Sequence, residues 1–391
     1  MDAVRNPFAP GAGLKPPELV GRETVIEDAL VSIRRCLLGR SSRSWMMLGL
    51  RGTGKTVLLN HIAQLAEAEG ALTLMIEAPE TGEFPRQLVP LLNRLLRRLS
   101  VSEKARAFAH KAMRILRSFA GSFKVEIAEI GISVDPEPGT GDSGLLDLDL
   151  TDLLMAVGEA AKADGTALVL LIDEVQYLNK EELGALITAL HRANQRALPV
   201  LFFGAGLPQV AGLAGEAKSY AERLFRYETI GALEAEDAGA AIREPIAREG
   251  ESITAEAVTR IVGDTEGYPY FLQEWGYQVW NGADASPIPL DVVERAAEAA
   301  LDRLDKGFFK VRIDRLTPKE REYVNAMAEL PGDGPYRSGD VADKLGEPAT
   351  RMGPRRQGII RKGMIYSPAH GDIAFTVPGF KDYLMRVSDE G

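Results

Sequence analysis

The sequence predicts an α/β fold, a parallel sheet with helices on both faces, followed by a helical unit and a small C-terminal unit. Short apolar segments alternate with segments of helical periodicity up to about residue 234. A glycine-rich turn joins one predicted strand to a helix, and a later apolar strand ends in two carboxylates. Such alternation is typical of parallel sheets whose crossover helices cover both faces.

Five short segments have the composition of strands. The segment 167–172 is apolar throughout and is bounded by Gly165 and Asp173, which is typical of a strand buried on both faces. The full set covers residues 45–48, 72–76, 167–172, 200–203 and 227–230.

Helical segments separate these strands, because apolar residues recur there at spacings of three and four. They cover residues 55–69, 88–99, 104–119, 150–163 and 181–196. Residues 124–144 alternate apolar and polar side chains and end in Pro, Gly and Asp. This pattern predicts a hairpin, or a strand and a loop, inserted between core elements.

The strand patterns disappear after residue 234, and this change divides the chain. The predicted units are an irregular lead-in at 1–19, a core at 20–234 with an inserted region at about 104–144, a helical unit at 235–309 and a C-terminal unit at 310–391. The last unit is expected to contain helices at 318–330, 338–345 and 349–362 and a hairpin within 367–377. Because Gly353-Pro354 is unfavourable inside a helix, the third of these helices is expected to begin only near Arg355.

Composition excludes several classes of protein. The net charge of -10 argues against a protein that coats nucleic acid or anionic membrane with its whole surface. The single cysteine, Cys36, fits a reducing compartment, and the apolar run at 167–172 is too short to span a bilayer. The sequence therefore predicts a soluble, cytoplasmic protein with no membrane partner.

The segment Gly49-Leu-Arg-Gly-Thr-Gly-Lys-Thr56 fits the phosphate-binding pattern G-x-x-x-x-G-K-[ST] between a strand and a helix. Lys55 is expected to reach the β- and γ-phosphates of ATP, and Thr56 to ligate Mg²⁺. The loop residues expected to wrap the phosphates of ATP or ADP are Gly49, Arg51, Gly52, Thr53 and Gly54. The alternative, a glycine-rich turn that matches by chance, is disfavoured by the flanking strand and helix.

Asp173 and Glu174 supply the second half of this predicted site. A buried strand that ends in two carboxylates places Asp173 at the carboxyl edge of the sheet, where it can hold the magnesium shell. Glu174 is then expected to polarise the attacking water. The alternative is an acidic pair that only caps the strand.

These motifs resemble those of the AAA+ superfamily of P-loop NTPases. The likeness is narrower to the branch that contains origin-recognition initiators, STAND signalling ATPases and transposon-encoded regulators. It implies an α-helical lid at 235–309 and a C-terminal winged-helix domain at 310–391. It also implies adenine contacts from Val20, Gly21 and Arg22 and from Pro269 in the lid. Residues 20–23 could instead only begin a helix, and Gly267 and Pro269 could only separate two helices.

The sequence departs from this family at its sensor positions. The end of the fourth strand reads Phe-Gly-Ala-Gly at 203–206, with no polar side chain for the γ-phosphate, and no lid arginine is evident around 267–273. Arg223 and Arg226 lie where the family places an arginine finger supplied by a neighbouring subunit, and Arg223 is preferred. The alternative is a solvated helix face with ion pairs.

The C-terminal unit carries a run of cations with no acid between Glu347 and Asp372. In a helix–turn–helix, residues 338–345 would support a second helix that lies in the major groove of double-stranded DNA. The residues expected to contact DNA are Arg351, Arg355, Arg356, Arg361 and Lys362. The alternative is a winged helix that contacts protein.

The pattern as a whole predicts an ATP-hydrolysing molecular switch that couples nucleotide state to oligomerisation, as a homo-oligomer or with a protein partner, and to DNA binding. A STAND-like signalling or scaffold ATPase, whose winged helix packs internally, is the alternative. A small-molecule P-loop kinase is disfavoured by Asp173-Glu174 and by the helical lid.

Overall fold

The computed structural model describes residues 1–11, 19–80, 82–125 and 134–389. At its centre lies a five-stranded parallel sheet of strand order β2-β3-β4-β1-β5. The strands are β1 Ser44–Leu48, β2 Leu72–Glu77, β3 Leu168–Asp173, β4 Val200–Gly206 and β5 Phe225–Thr229. All five predicted strands are confirmed, and β4 runs on to Gly206.

Helices cover both faces of this sheet. They are α1 Glu23–Leu37, α2 Lys55–Ala68, α3 Phe84–Val101, α4 Arg106–Ser122, α5 Leu146–Asp164, α6 Lys180–Gln195, α7 Val210–Ala217 and α8 Ala221–Leu224. Successive residues of β1 face opposite layers, since side chains alternate along a strand. Trp45 and Met47 pack with α1 and α2, whereas Met46 joins the core built on α3, α4, α5 and α6. The predicted fold class is therefore confirmed.

The region predicted as an insertion is partly core. Helix α4 buries Leu116 and Phe119 in the same apolar cluster as α3 and α5. Residues 126–133 of the predicted hairpin lie outside the described residues. The described remainder of that stretch, residues 124–125 and 134–144, forms turns and no strand.

Beyond the sheet, the described chain is mainly helical. The helices are α9 Ala235–Arg248, α10 Ala255–Thr265, α11 Pro269–Gly282, α12 Leu290–Leu304, α13 Lys310–Asp314, α14 Pro318–Ala328, α15 Ser338–Leu345, α16 Ala349–Arg361 and α17 Phe380–Asp389. The strands β6 Tyr336–Arg337, β7 Ile365–Tyr366 and β8 Asp372–Phe375 form a small antiparallel sheet of order β6-β8-β7. In the described residues no helix is both long and apolar enough to cross a membrane.

The expectation that the third C-terminal helix begins only near Arg355 was wrong, because α16 begins at Ala349. Pro354 lies on the exposed side of the second turn, so its missing N–H removes only one backbone hydrogen bond. Met352 and Ile359 are buried on either side of it and anchor the helix. The helices and small sheet of this unit are compatible with the predicted winged helix.

One apolar core joins the helical unit to the C-terminal unit. The ring of Phe309, which follows α12, lies 5.2 Å from Tyr383 and 5.7 Å from Phe380 of α17, centroid to centroid. Phe8 from the N-terminal segment belongs to the same cluster. The helical unit thus packs against both the N-terminal segment and the last helix of the described chain.

Candidate nucleotide site

The phosphate loop lies between the end of β1 and the start of α2. Gly54 precedes α2 with φ of +89°, a left-handed conformation that glycine adopts without strain. Gly49 packs so closely that a Cβ there would lie 2.1 Å from the carbonyl oxygen of Ile230. The first residues of α2, whose N–H groups have no acceptor within the helix, line an open cavity at the positive end of the helix dipole.

Lys55 is a buried cation in this loop. Its side chain is only 7% exposed, and Nζ donates a 2.7 Å hydrogen bond to the carbonyl oxygen of Leu50. Burial lowers the pKa of Lys55 to about 8, although the carboxylates of Glu174 and Asp173 act in the opposite direction. An anionic ligand would offset this desolvation.

Thr56 and Asp173 bring the two motifs into direct contact. The Thr56 hydroxyl donates a 2.5 Å hydrogen bond to Asp173 Oδ2, and the Glu174 N–H donates a 2.8 Å bond to Asp173 Oδ1. Burial raises the pKa of Asp173. A hydroxyl and a carboxylate are hard oxygen donors of the kind that Mg²⁺ prefers, so these two residues fit that ion.

Glu174 has an unusual backbone conformation. Its φ is +52°, in the left-handed region that residues with a Cβ seldom adopt. The surrounding fold must stabilise this strain, and such outliers are frequent at functional sites. One oxygen of its carboxylate accepts a hydrogen bond from Gln176, and the other lies 3.7 Å from Arg51 Nη1.

A cavity of about 250 Å³ extends from the phosphate loop to the helical unit. It contains most of the predicted nucleotide contacts: Val20, Arg22, Arg51, Gly52, Thr53, Gly54, Lys55, Thr56, Glu174 and Pro269. Gly21 and Gly49 are not among its lining residues, and Asp173 lies behind Thr56. The apolar end is built by Leu19, Val20, Leu233 and Leu272, side chains suited to a flat base.

The N-terminal segment also contributes to this cavity, which the sequence did not predict. Phe8 is 2% exposed and packs against α11 at Gly276. The Ala9 N–H donates a 3.2 Å hydrogen bond to Gln273 Oε1, and Ala9 and Gly11 line the cavity. A lone phenylalanine in a segment rich in Pro and Gly was the signal for this docking.

Arg312 is a second residue that sequence reasoning missed. Its guanidinium lines the cavity and lies 4.1 Å from the ring centroid of Phe308. Burial, together with the nearby charge of Arg51, lowers the pKa of Arg312 to about 10. An arginine therefore lines the cavity from α13, after the end of the predicted lid.

The two candidate arginine fingers differ in their surroundings. Arg226 pairs with Asp28 at 2.7 Å and Glu228 at 3.1 Å and lies 4.1 Å over the ring of Trp45. Arg223 is exposed and makes no side-chain hydrogen bond or ion pair with any described residue. Neither residue lines the cavity, so a catalytic role for either would require a second subunit.

The C-terminal unit contacts the phosphate loop directly. The Arg51 N–H donates a 3.1 Å hydrogen bond to the carbonyl oxygen of Thr376, just after β8. A second contact joins the Ser367 N–H to Gln209 Oε1 at 3.3 Å. The C-terminal unit therefore contacts both the phosphate loop and the segment that follows β4.

Most of the five cations predicted to bind DNA have internal partners. Arg355 lies 3.2 Å from Glu347, Arg356 donates a 3.0 Å bond to Ser338, and Lys362 lies 2.6 Å from Glu320. The two with exposed side chains are Arg351 and Arg361.

Comparisons with known proteins show an ATPase domain that contains the phosphate loop and Asp173-Glu174. Residues 18–203 match the family described as AAA ATPase domain, and residues 306–384 match a family described as a domain of unknown function. The fold is similar to that of the Walker-type ATPase of Pyrococcus abyssi, with a TM-score of 0.57, 14% identity and 94% of this chain and 96% of that chain covered. It is also similar to the ORC2 protein of Aeropyrum pernix, in its ADPNP and ADP complexes, with a TM-score of 0.53, 14% identity and 97% and 98% coverage. A search of curated protein sequences found no match. Residues 18–203 are therefore an AAA ATPase domain, and the chain as a whole has a fold similar to those of the Pyrococcus abyssi ATPase and the Aeropyrum pernix ORC2 protein.

Proposed function

We propose that this ATPase is a molecular switch in which bound nucleotide sets the position of the C-terminal unit. ATP lies in the cavity between sheet and helical unit, with its base against Val20 and Pro269. The phosphates face the N–H groups at the start of α2 and the cations of Lys55, Arg51 and Arg312. The three cations in one cavity support a polyphosphate ligand, because each is desolvated there and gains from an anion.

Glu174 orients the attacking water and accepts its proton during hydrolysis. Thr56 and Asp173 would hold Mg²⁺, which neutralises phosphate charge when it is bound. Arg312 stabilises negative charge on the terminal phosphate from within the same subunit. Arg223 does so from a neighbouring subunit, so hydrolysis depends on oligomerisation.

The main support for the switch is the hydrogen bond between Arg51 of the phosphate loop and Thr376 of the C-terminal unit. A nucleotide that shifts the loop either breaks this bond or moves the C-terminal unit with the loop. The apolar core that joins Phe309 to α17 transmits lid movement to the same unit. Differential contacts of this kind are what a ligand needs to shift an equilibrium between two states.

Hydrogen–deuterium exchange tests the coupling. We would compare residues 363–377 in the Glu174→Gln variant without nucleotide, with ADP and with ATP. We expect exchange there to differ between ADP and ATP by at least about fivefold, while α10, which does not line the cavity, stays unchanged. Equal exchange in both nucleotide states would refute the switch.

A STAND-like role is the second candidate, and a specific observation favours it over DNA binding. The C-terminal unit contacts its own ATPase core, and three of its five candidate DNA-binding cations are paired internally. Double-stranded DNA binding would then depend on Arg351 and Arg361. If the unit binds DNA, affinity must fall as salt rises, and Arg351→Ala/Arg361→Ala must reduce the salt slope by about 2. Absence of binding at low salt supports the scaffold.

A further inference from the structure

We infer that Gln176 positions the carboxylate of Glu174 from the space that a side chain at the end of β4 would otherwise occupy. The inference rests on the proposed role of Glu174 in hydrolysis. Gln176 touches no expected substrate position, since it does not line the cavity. It is therefore a positioning residue that acts through Glu174.

The amide of Gln176 bridges two elements of the sheet. Its Nε2 donates to the carboxylate of Glu174, and its Oε1 accepts a 3.0 Å hydrogen bond from the Leu207 N–H. A carboxylate can only accept, and a backbone N–H can only donate, so these two partners allow one orientation of the amide. Glu174 is thereby connected to the first residue after β4.

The space for this amide exists because β4 ends in glycine. A Cβ at Gly206 would lie 2.8 Å from Gln176 Oε1 and 2.8 Å from the Val210 side chain. Any side chain at this position would displace the amide. The amide of Gln176 can therefore lie beside the end of β4 only because β4 has no side chain there.

This arrangement constrains both oxygens of Glu174. One accepts from Gln176, and the other faces Arg51 at 3.7 Å. Glu174 also has the strained φ of +52°, so its side chain leaves the backbone in a direction that ordinary strand geometry would not provide. Without the amide, the carboxylate loses the contact that fixes its rotamer.

Gln176→Met tests the inference, because methionine keeps the side-chain length and removes both hydrogen bonds. We expect kcat for ATP hydrolysis to fall about 10- to 100-fold, with the KM and the Kd for ATP changed less than about twofold. Gly206→Ala should produce the same split to a smaller extent, because it pushes the amide and leaves Gln176 present. Combining Gln176→Met with Glu174→Gln should cause no further loss, since Gln176 acts only through Glu174.

The matched control is Gln278→Met. Gln278 donates a 2.8 Å hydrogen bond to Glu274 within α11, the same amide–carboxylate pair outside the cavity lining. Its kcat should equal that of the wild type.

The possible outcomes distinguish a failure of the proposed role of Glu174 from a failure of the inferred role of Gln176. If Glu174→Gln hydrolyses ATP like the wild type, the proposed role of Glu174 fails and this inference with it. If Glu174→Gln is inactive but Gln176→Met keeps the wild-type kcat, only the inference is overturned. A loss in Gln176→Met that appears in KM and Kd alone also overturns it. Should Gln176→Met fail to fold, Gly206→Ala decides by the same criterion.

Discussion

The hydroxyl of Thr56 lies 2.5 Å from a carboxylate oxygen of Asp173 and joins the first turn of α2 to the last residue of β3. The two residues are 117 positions apart in the chain. Their contact brings the phosphate-loop motif and the acidic motif to one point at the edge of the sheet. It places two hard oxygen donors beside the buried ammonium of Lys55.

We predict that Thr56→Val slows ATP hydrolysis and that Mg²⁺ no longer stimulates it. Valine keeps the shape of the side chain but removes the hydroxyl, so kcat should fall on the order of 100-fold or more. ATP affinity without Mg²⁺ should change little. The measurement is the ATPase rate across a Mg²⁺ titration. Thr188→Val is the control, since that hydroxyl bonds the Gly184 carbonyl inside α6. A variant at Thr56 that keeps the wild-type Mg²⁺ response would contradict the assignment.

We predict that ATP affinity weakens above about pH 8. Burial lowers the pKa of Lys55 to about 8, so the free protein loses this charge as the pH rises through that value. A polyphosphate binds the protonated form more tightly, and Kd should rise by up to about tenfold per pH unit above the pKa. Kd measured from pH 6.5 to 9.5 checks this. Lys55→Arg keeps its charge across the range, so its profile should stay flat. A flat wild-type profile would show that Lys55 remains charged in the free protein.

Local sequence patterns predicted most of the site, but they could not predict the residues whose positions depend on long-range packing. The phosphate loop, Asp173 and Glu174 follow from spacing within short segments, and so do the five strands. The docking of Phe8 on α11 and the position of Arg312 depend on how distant helices pack. The sequence could show that β4 lacks a polar residue at its end. It could not show that Gln176 fills that space, because the bond to Leu207 exists only in the folded sheet.

We predict that Arg312→Ala weakens binding of ATP more than binding of ADP. A charge-assisted hydrogen bond to the terminal phosphate contributes about 1.5–3 kcal/mol, so the ratio of the two Kd values should change roughly 10- to 100-fold. Competition with a fluorescent nucleotide measures both constants. Arg315→Ala is the control, because Arg315 lies three residues away, is exposed and does not line the cavity. An equal loss for ATP and ADP would place Arg312 at the base or the β-phosphate instead.

We predict that Phe8→Ala reduces nucleotide affinity through the N-terminal segment. Removal of a buried phenylalanine costs about 3–5 kcal/mol, enough to release Ala9 from Gln273 and open one side of the cavity. Kd for both ATP and ADP should rise, because this end of the cavity faces the base. Val4→Ala, at a side chain that is 92% exposed, should leave both constants unchanged. A Phe8 variant that binds both nucleotides like the wild type would limit this segment to stabilising α11.

Substitution of Arg223 in α8 and of Arg226 in β5 should have different effects. Arg226→Ala removes two ion pairs and the contact over Trp45, so it should lower stability by about 1–2 kcal/mol, seen as a lower Tm. Arg223→Ala should leave Tm unchanged and lower kcat at least about 100-fold, because its side chain is free to reach a neighbour's nucleotide.

A mixing experiment tests whether Arg223 acts on a neighbouring subunit. Lys55→Ala subunits should also be inactive, but they retain Arg223. Mixing the Arg223 and Lys55 variants should therefore restore activity, because Lys55→Ala subunits supply the finger to intact sites on Arg223→Ala subunits. If the mixture stays as inactive as its parts, at concentrations where the wild type is fully active, Arg223 is not an arginine finger.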